Sequence, residues 1–214
     1  MQIAILLYDG LTALDAIGPY EVLSCLPDVT VHFVAETAGP KRTDTQTLAL
    51  VADTSLAELP HPDIFLIPGG GSGNHAAAQN EQILAWVREA HTTSLWSTSV
   101  CTGAFVLGAA GILEGKRATT FWGGGPYLQQ LCGATYIAQR YVQDGKILTA
   151  AGVSAGIDMA LFLVSQLTDE ETAQATQLAL EYDPQPPFDT GTPQKASPSI
   201  VALAQQLLQN GKRR

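Results

Sequence analysis

The chain has 214 residues, a formal net charge of −9 at pH 7, and 46% hydrophobic against 14% charged residues. That is enough chain for one domain with a sizeable buried core, and it is too apolar for a disordered polypeptide. It is also too acidic for a nucleic-acid surface, which needs clustered Lys and Arg against phosphate. The one basic cluster, Lys212-Arg213-Arg214, reads as a solvated tail. Cys25, Cys101 and Cys132 lack the spacing of a disulfide framework or a metal knuckle. No apolar run approaches the roughly 18–20 residues of a membrane span, and the first apolar segment is too short and lacks the basic flank of a signal peptide. A reduced, cytoplasmic setting without nucleic-acid or membrane partners is the expectation.

In chain order, "QIAILLYDG" is a continuous apolar run closed by Gly, the pattern of a strand buried on both faces. "LTALDAIGPYEVLSCLP" has near-helical spacing of Leu14, Ile17 and Leu23, with Pro19 placed to start the helix. "VTVHFVAE" and "DIFLIPGGG" read as strands, the second ending abruptly in glycines. "NEQILAWVREAH" is an amphipathic helix pattern, "LWSTSV" a strand, and "TGAFVLGAAGIL" a small-residue helix after it. "ATYIAQRYVQDGKILTAAG" predicts paired strands with a turn at Asp144-Gly145. "SAGIDMALFLVSQL" and "DEETAQATQLALEY" predict helices, with Asp169 capping the second. "DPQPPFDTGTPQKASPS" holds five of the twelve prolines and reads as an ordered surface crossing before a last helix, "IVALAQQLLQN". Alternation of strands and helices over most of the chain implies an α/β domain with a largely parallel sheet covered on both faces.

In such sheets ligands bind outside the carboxyl ends of the strands. Three turns there carry unusual residues: Asp15 after the first strand, Gly69-Gly70-Gly71 after the "DIFLIP" run, and Cys101 after "LWSTSV". Cys101 is followed by Thr102-Gly103-Ala104, small residues that permit a sharp turn. A thiol at a helix N-terminus has its pKa lowered by the macrodipole, so Cys101 reads either as a nucleophile or as a packed core residue. Core positions are expected for Cys25 and Cys132. The glycine turn offers unobstructed backbone N–H groups for an oxyanion or anion, or is an ordinary tight turn. It matches neither a phosphate loop nor a dinucleotide fingerprint.

Asp15 reads either as a helix cap or as a site carboxylate. Facing Cys101, it would share one proton with the sulfur, raising the carboxyl pKa or keeping the sulfur protonated, an arrangement suited to proton transfer. Glu21 points well away from it on a helical wheel. His32, His61, His75 and His91 all precede Cys101, so a Cys–His–Glu triad with a late His cannot be built. His32, His61 and His91 read as structural or solvated, and His75, beside the glycine turn, as a pocket candidate.

The segments "LLYDGLTALDAIGPYEVL", "FLIPGGG", "TSVCTGAFVLGAAGILEGKRATT", "AGVSAGIDMAL" and "LEYDPQPPFDTGTP" resemble, in this order, the PfpI-type class I glutamine-amidotransferase-like superfamily, in its isocyanide hydratase branch. The Cys-Thr-Gly turn also occurs in the amidotransferase-like halves of some transcription regulators. The resemblance implies a flavodoxin-like three-layer α/β sandwich with a mainly parallel central sheet. It implies a single domain over 1–214, with a C-terminal extension from about 182 to 214 packed on it, and a homodimer. It further implies a cofactor-free and metal-free hydro-lyase, in which Cys101 attacks the terminal carbon of an isocyanide to form a thioimidate. Asp15 would manage the proton and the water, and Thr102 would assist through its N–H or hydroxyl. Gly69, Gly70, Gly71, Trp122 and Ser154 would border the substrate, and the product would be an N-substituted formamide.

Two departures stand out. Thr120-Phe121-Trp122, followed by Gly123-Gly124-Gly125-Pro126, replaces a Thr-Thr-His-Trp pattern, and Ser154 stands where Thr is expected. The alternatives are a non-catalytic sensor, in which an exposed low-pKa Cys101 reports oxidation or the pocket binds a small ligand, and a glyoxalase or deglycase-type stress protein of the same superfamily.

Overall fold

The structure, a computed structural model, describes residues 1–209. The Lys212–Arg214 cluster lies outside the described residues. The elements in order are β1 (Gln2–Leu6), α1 (Ala13–Leu23), β2 (Thr30–Ala35), β3 (Gly39–Arg42), β4 (Ala49–Ala52), β5 (Thr54–Ser55), β6 (Ile64–Ile67), α2 (Ser72–Ala77) and α3 (Glu81–Thr93). They continue with β7 (Trp96–Val100), a single 3-10 turn (Cys101–Gly103), α4 (Ala104–Ala109), β8 (Arg117–Ala118), α5 (Gly125–Cys132), β9 (Thr135–Tyr136), β10 (Tyr141–Asp144) and β11 (Ile147–Ala150). The chain then forms α6 (Ala155–Leu167), α7 (Glu170–Ala179) and α8 (Pro198–Gln209).

Seven strands form the central sheet in the order β10-β11-β7-β6-β1-β2-β5. All neighbours are parallel except the hairpin β10–β11. The continuous apolar runs in β1 and β6 are buried along nearly their whole length, as strands covered on both faces require. Helices α1, α6 and α7 pack together as one layer, and α3 and α4 pack together with α2 and α5 as the other. This is the flavodoxin-like three-layer sandwich expected from the sequence. Among the described residues no helix is long and apolar enough to cross a membrane.

Local signals act as their chemistry dictates. The Asn80 side chain accepts from the Gln82 and Ile83 amides at the start of α3, and Asp169 accepts from Thr172 N at the start of α7. Three details differ from the sequence reading. First, α1 begins at Ala13, so Pro19 lies inside the helix and Asp15 in its first turn. Packing of α1 on α6, with Gly18 against Ile157, outweighs the loss of one helical N–H at the proline. Second, the small-residue segment after β7 is broken into the 3-10 turn and the short α4. Third, Cys25 is exposed in the turn after α1, where its thiol donates to the Glu21 carbonyl, whereas Cys132 is buried as expected.

The order places β1, β6, β7 and β11 side by side and parallel, so the turns after these four strands meet at one edge. Close approach there depends on missing side chains. A Cβ on Gly103 would stand 2.1 Å from the carbonyl oxygen of Ile67. Gly103→Ala is therefore expected to lower the unfolding free energy by about 1–3 kcal/mol, read from the midpoint of urea denaturation. An unchanged midpoint would show that the β6–α4 contact is slack.

Candidate active site

Cys101 opens the 3-10 turn directly after β7 and has φ +57°, a left-handed conformation that a non-glycine residue holds only when its surroundings impose it. Those surroundings are specific. Its N–H donates to the Ala151 carbonyl at 3.0 Å, beyond the end of β11, and its own carbonyl accepts from Thr120 Oγ1 at 2.8 Å. Val153, a β-branched residue with φ +36°, is the second strained position at this edge. The backbone N–H groups of Thr102 and Val153 and the Thr102 hydroxyl face the Cys101 sulfur.

The glycine turn after β6 fixes the other half of the site. Gly69 N–H donates to Asp15 Oδ2 at 2.9 Å, and Asp15 is completely buried. The Thr102 hydroxyl donates to the Gly70 carbonyl at 2.9 Å and accepts from the Gly70 N–H at 3.0 Å. A Cβ on Gly69 would lie 2.7 Å from Thr102 N and Oγ1 and 2.8 Å from Asp15 Oδ2. Only glycine lets the carboxylate and the thiol turn come this close. The N–H groups of Gly69 and Gly70 are thus engaged within the protein, and the turn does not present them to an anion as the sequence suggested. It holds Asp15 and Thr102 in place instead.

Burial, and after it the Asp15 carboxylate, pushes the Cys101 thiol well above the ordinary cysteine range, and the surrounding amides and hydroxyl oppose this without reversing it. The expected lowering by a helix end is therefore overturned, because only a 3-10 turn and a six-residue helix follow the thiol, while the side chain is 7% exposed. The redox form of the sensor reading calls for an exposed thiol, whereas Cys101 is buried. Of the two proton arrangements left open for the Cys101–Asp15 pair, the structure favours a protonated sulfur.

Three further residues escaped the sequence reading. Tyr8, past the end of β1, donates to the Pro68 carbonyl at 2.6 Å and accepts from Asn74 Nδ2 at 3.2 Å. Burial foremost, with added repulsion from Asp15 and Cys101, keeps its phenol protonated. Asn74 is 66 residues away in sequence, so no local pattern links them. Val153 carried no signal either, since backbone strain leaves no mark in composition.

Two clefts flank the thiol turn. The larger, about 790 Å³, has Gly70, Gly71 and Thr102 at one end. The smaller, about 490 Å³, is bordered by Thr120, Val153 and Ser154. Phe121 and Trp122, with ring centroids 5.1 Å apart, form part of both walls. Of the expected substrate-bordering residues, Gly70, Gly71 and Trp122 gather at the larger cleft, while Gly69 lies beneath it. Ser154 stands apart, its hydroxyl accepting from Arg140 at 3.2 Å. The same Arg140 pairs with Asp158, which also accepts from Tyr182 at 2.6 Å. Among the histidines, His75 lies on the larger cleft, bonded to Gln79. His91 bonds Ser97, His61 faces Glu89, and His32 lies in β2. Among the described residues no group of three or more His, Cys, Asp or Glu converges as a metal site requires.

These electrostatics have a direct readout. Thiolate absorbance near 240 nm, taken as the difference between the protein and its Cys101→Ala variant, is expected to show no titration step up to about pH 9, where a free thiol is already ionising. Asp15→Asn removes the negative charge and should move the step to lower pH. A wild-type step near pH 6–7 would contradict the burial argument.

The sequence matches the DJ-1/PfpI family over residues 1–166. It is 43% identical to an isonitrile hydratase from Pseudomonas putida over 206 residues, covering 96% of this chain and 89% of that protein. It is 26% identical over 155 residues to the HTH-type transcriptional regulator CdhR of Pseudomonas aeruginosa, covering 72% of this chain and 44% of that one. A crystal structure of a THiJ/PfpI family protein from Pseudomonas syringae superposes with a TM-score of 0.93 at 34% identity, covering 98% of this chain and 86% of that chain. The cysteine turn, the glycine turn and the sheet order all fall inside the matched region, and the chain belongs to the DJ-1/PfpI family.

Proposed function

We propose that the chain hydrates isocyanides, R–N≡C + H₂O → R–NH–CHO, with Cys101 as the nucleophile. The observation that carries this reading is a buried cysteine held at φ +57° in the turn after β7, with the glycine turn holding a buried carboxylate beside it. The identity to the Pseudomonas putida isonitrile hydratase over nearly the whole of both chains supports it. An isocyanide presents a terminal carbon that must receive a nucleophile and a proton at the same atom. A thiol with an adjacent carboxylate supplies both without an external base.

In the first step a bond forms between the Cys101 sulfur and the terminal carbon. The thiol proton passes through the Asp15 carboxylate to that carbon, leaving a thioimidate, R–N=CH–S. Water then adds across the C=N bond. Its oxygen joins carbon, one proton ends on nitrogen, and Asp15 is the group that relays it. Collapse of the adduct breaks the C–S bond and returns the hydroxyl proton to sulfur, releasing the formamide and the starting thiol. Thr102 acts by position: its N–H faces the sulfur, and its hydroxyl is locked to Gly70. The reading carries with it the homodimer expected from the resemblance and the cytoplasmic setting expected from the composition. Sedimentation at twice the 22.6 kDa chain mass checks the former.

The decisive assay follows formamide release from 4-nitrophenyl isocyanide. Cys101→Ala is expected at background, and Asp15→Asn to lose about 10²–10⁴-fold in kcat, even though the latter thiol ionises more readily. Full activity in Cys101→Ala would end the proposal. An Asp15→Asn enzyme faster than wild type would mean that thiolate supply, and not proton transfer, limits the reaction.

A further inference from the structure

The larger cleft has a wall from outside the family-matched region. Helix α8 presents Val201, Ala204 and Leu208 as its less exposed residues, at i, i+3 and i+7, while its other described residues are exposed. Val201 and Ala204 pack around a small cavity bounded by Trp122. One turn further on, Leu208 lines the cleft that ends at Thr102 and Gly70. The match to the family stops at residue 166, so α8 lies outside it, and it contributes Gln205, Leu208 and Gln209 to the lining of the larger cleft.

The lining has a definite chemistry. Phe105, Phe121, Trp122, Tyr127 and Leu131 face the space, and no Asp, Glu, Lys or Arg borders it among the described residues. Its volume, about 790 Å³, falls within the range of small-molecule pockets. A charged group placed there would meet no side chain of fixed opposite charge, only the polar groups of Asn74, His75, Gln79, Gln205 and Gln209. The smaller cleft does hold a cation, Arg140, but that guanidinium is already paired with Asp158.

Resting on the proposed hydratase reading, we infer that the larger cleft receives the substituent R, that α8 through Leu208 determines which substituents are accepted, and that the preferred class is neutral and bulky, aromatic or cycloaliphatic. The isocyano carbon points to the Thr102–Gly70 end and R extends under α8 past Trp122. Methyl isocyanide does not reach Leu208, whereas an aryl isocyanide does.

The test compares kcat/KM for 4-nitrophenyl isocyanide with that for methyl isocyanide in wild type, Leu208→Trp, Leu208→Ala and Leu203→Trp, the last at a position on α8 that is 51% exposed and away from the cleft. The aryl-to-methyl ratio is expected to fall about tenfold or more in Leu208→Trp and severalfold in Leu208→Ala, and to stay at the wild-type value in Leu203→Trp. Methyl isocyanoacetate should also be preferred over isocyanoacetate by about tenfold or more. A ratio unmoved by both Leu208 variants, or moved equally by Leu203→Trp, overturns the inference while the hydratase reading stands. Preference for the carboxylate overturns the substrate class. Wild type inactive on every isocyanide would refute the hydratase reading instead. Binding of N-(4-nitrophenyl)formamide, followed by quenching of tryptophan fluorescence, would then decide the cleft separately, with about tenfold weaker binding expected in Leu208→Trp and unchanged binding counting against it.

Discussion

Gly69 joins three parts of the chain at a point where no side chain fits. Its N–H binds Asp15 of α1, its carbonyl accepts from the Thr12 N–H just before that helix, and its α-carbon lies against Thr102 of the thiol turn. Gly70 repeats the pattern: a Cβ there would stand 2.3 Å from the Gly10 carbonyl oxygen, and both its polar groups bind the Thr102 hydroxyl. The separation between carboxylate and thiol is therefore set by backbone contacts among the ends of β1, β6 and β7, and not by the rotamer of a long side chain. Placement of this kind is what makes an intramolecular proton transfer efficient, since orientation is settled before the substrate arrives.

The same crowding decides the electrostatics. Two effects compete at Cys101: nearby amides favour the thiolate, while burial and the Asp15 charge disfavour it. Burial wins because the sulfur is almost wholly removed from water and the helical segment after it is short. A cysteine that rests as a thiol is slow to be oxidised compared with an exposed thiolate. In the proposed hydration it would also keep its proton beside the carboxylate, where an addition that delivers sulfur and hydrogen to one carbon needs it. Tyr8 and Asn74 extend this buried polar cluster away from the thiol without supplying a base, because the phenol is held protonated by the same burial.

Much of this was legible in the residues themselves. "IAILL" and "IFLI" announce doubly covered strands, and β7, though it reads "WSTSV", is still a strand. Two of its three buried hydroxyls find partners inside the fold, Thr98 on the Phe65 carbonyl and Ser97 on His91, while Ser99 Oγ has none among the described residues. The three chemistry-bearing turns also meet where strand order puts them. What the sequence concealed has physical causes. Pro19 mimics a helix start, and only packing of α1 on α6 shows otherwise. The sign of the Cys101 shift depends on burial, which no local pattern measures. The strain at Val153 and the pairing of Tyr8 with Asn74 come from tertiary contacts alone.

The division between shared and added chain gives these observations a common logic. Thiol, carboxylate and glycine turn all lie within residues 1–166, the part that matches the family. A related stretch of 155 residues also occurs in a transcriptional regulator, so the core by itself does not specify an activity. Isonitrile hydratase from Pseudomonas putida, in contrast, matches over 96% of this chain, the segment after α7 included. That segment folds back so that Val201 and Ala204 lie near Trp122, and Leu208 reaches the cleft leading to Thr102. Trp122, together with Phe121, is in turn part of the walls of both clefts. The addition to the core thus touches the site at the aromatic wall where the larger cleft opens, and leaves the hydrogen-bonded cluster around the thiol unaltered. Chemistry set by the core and admission set by the appended helix can then change independently, because no hydrogen bond within the cluster of Cys101, Asp15 and Thr102 depends on α8.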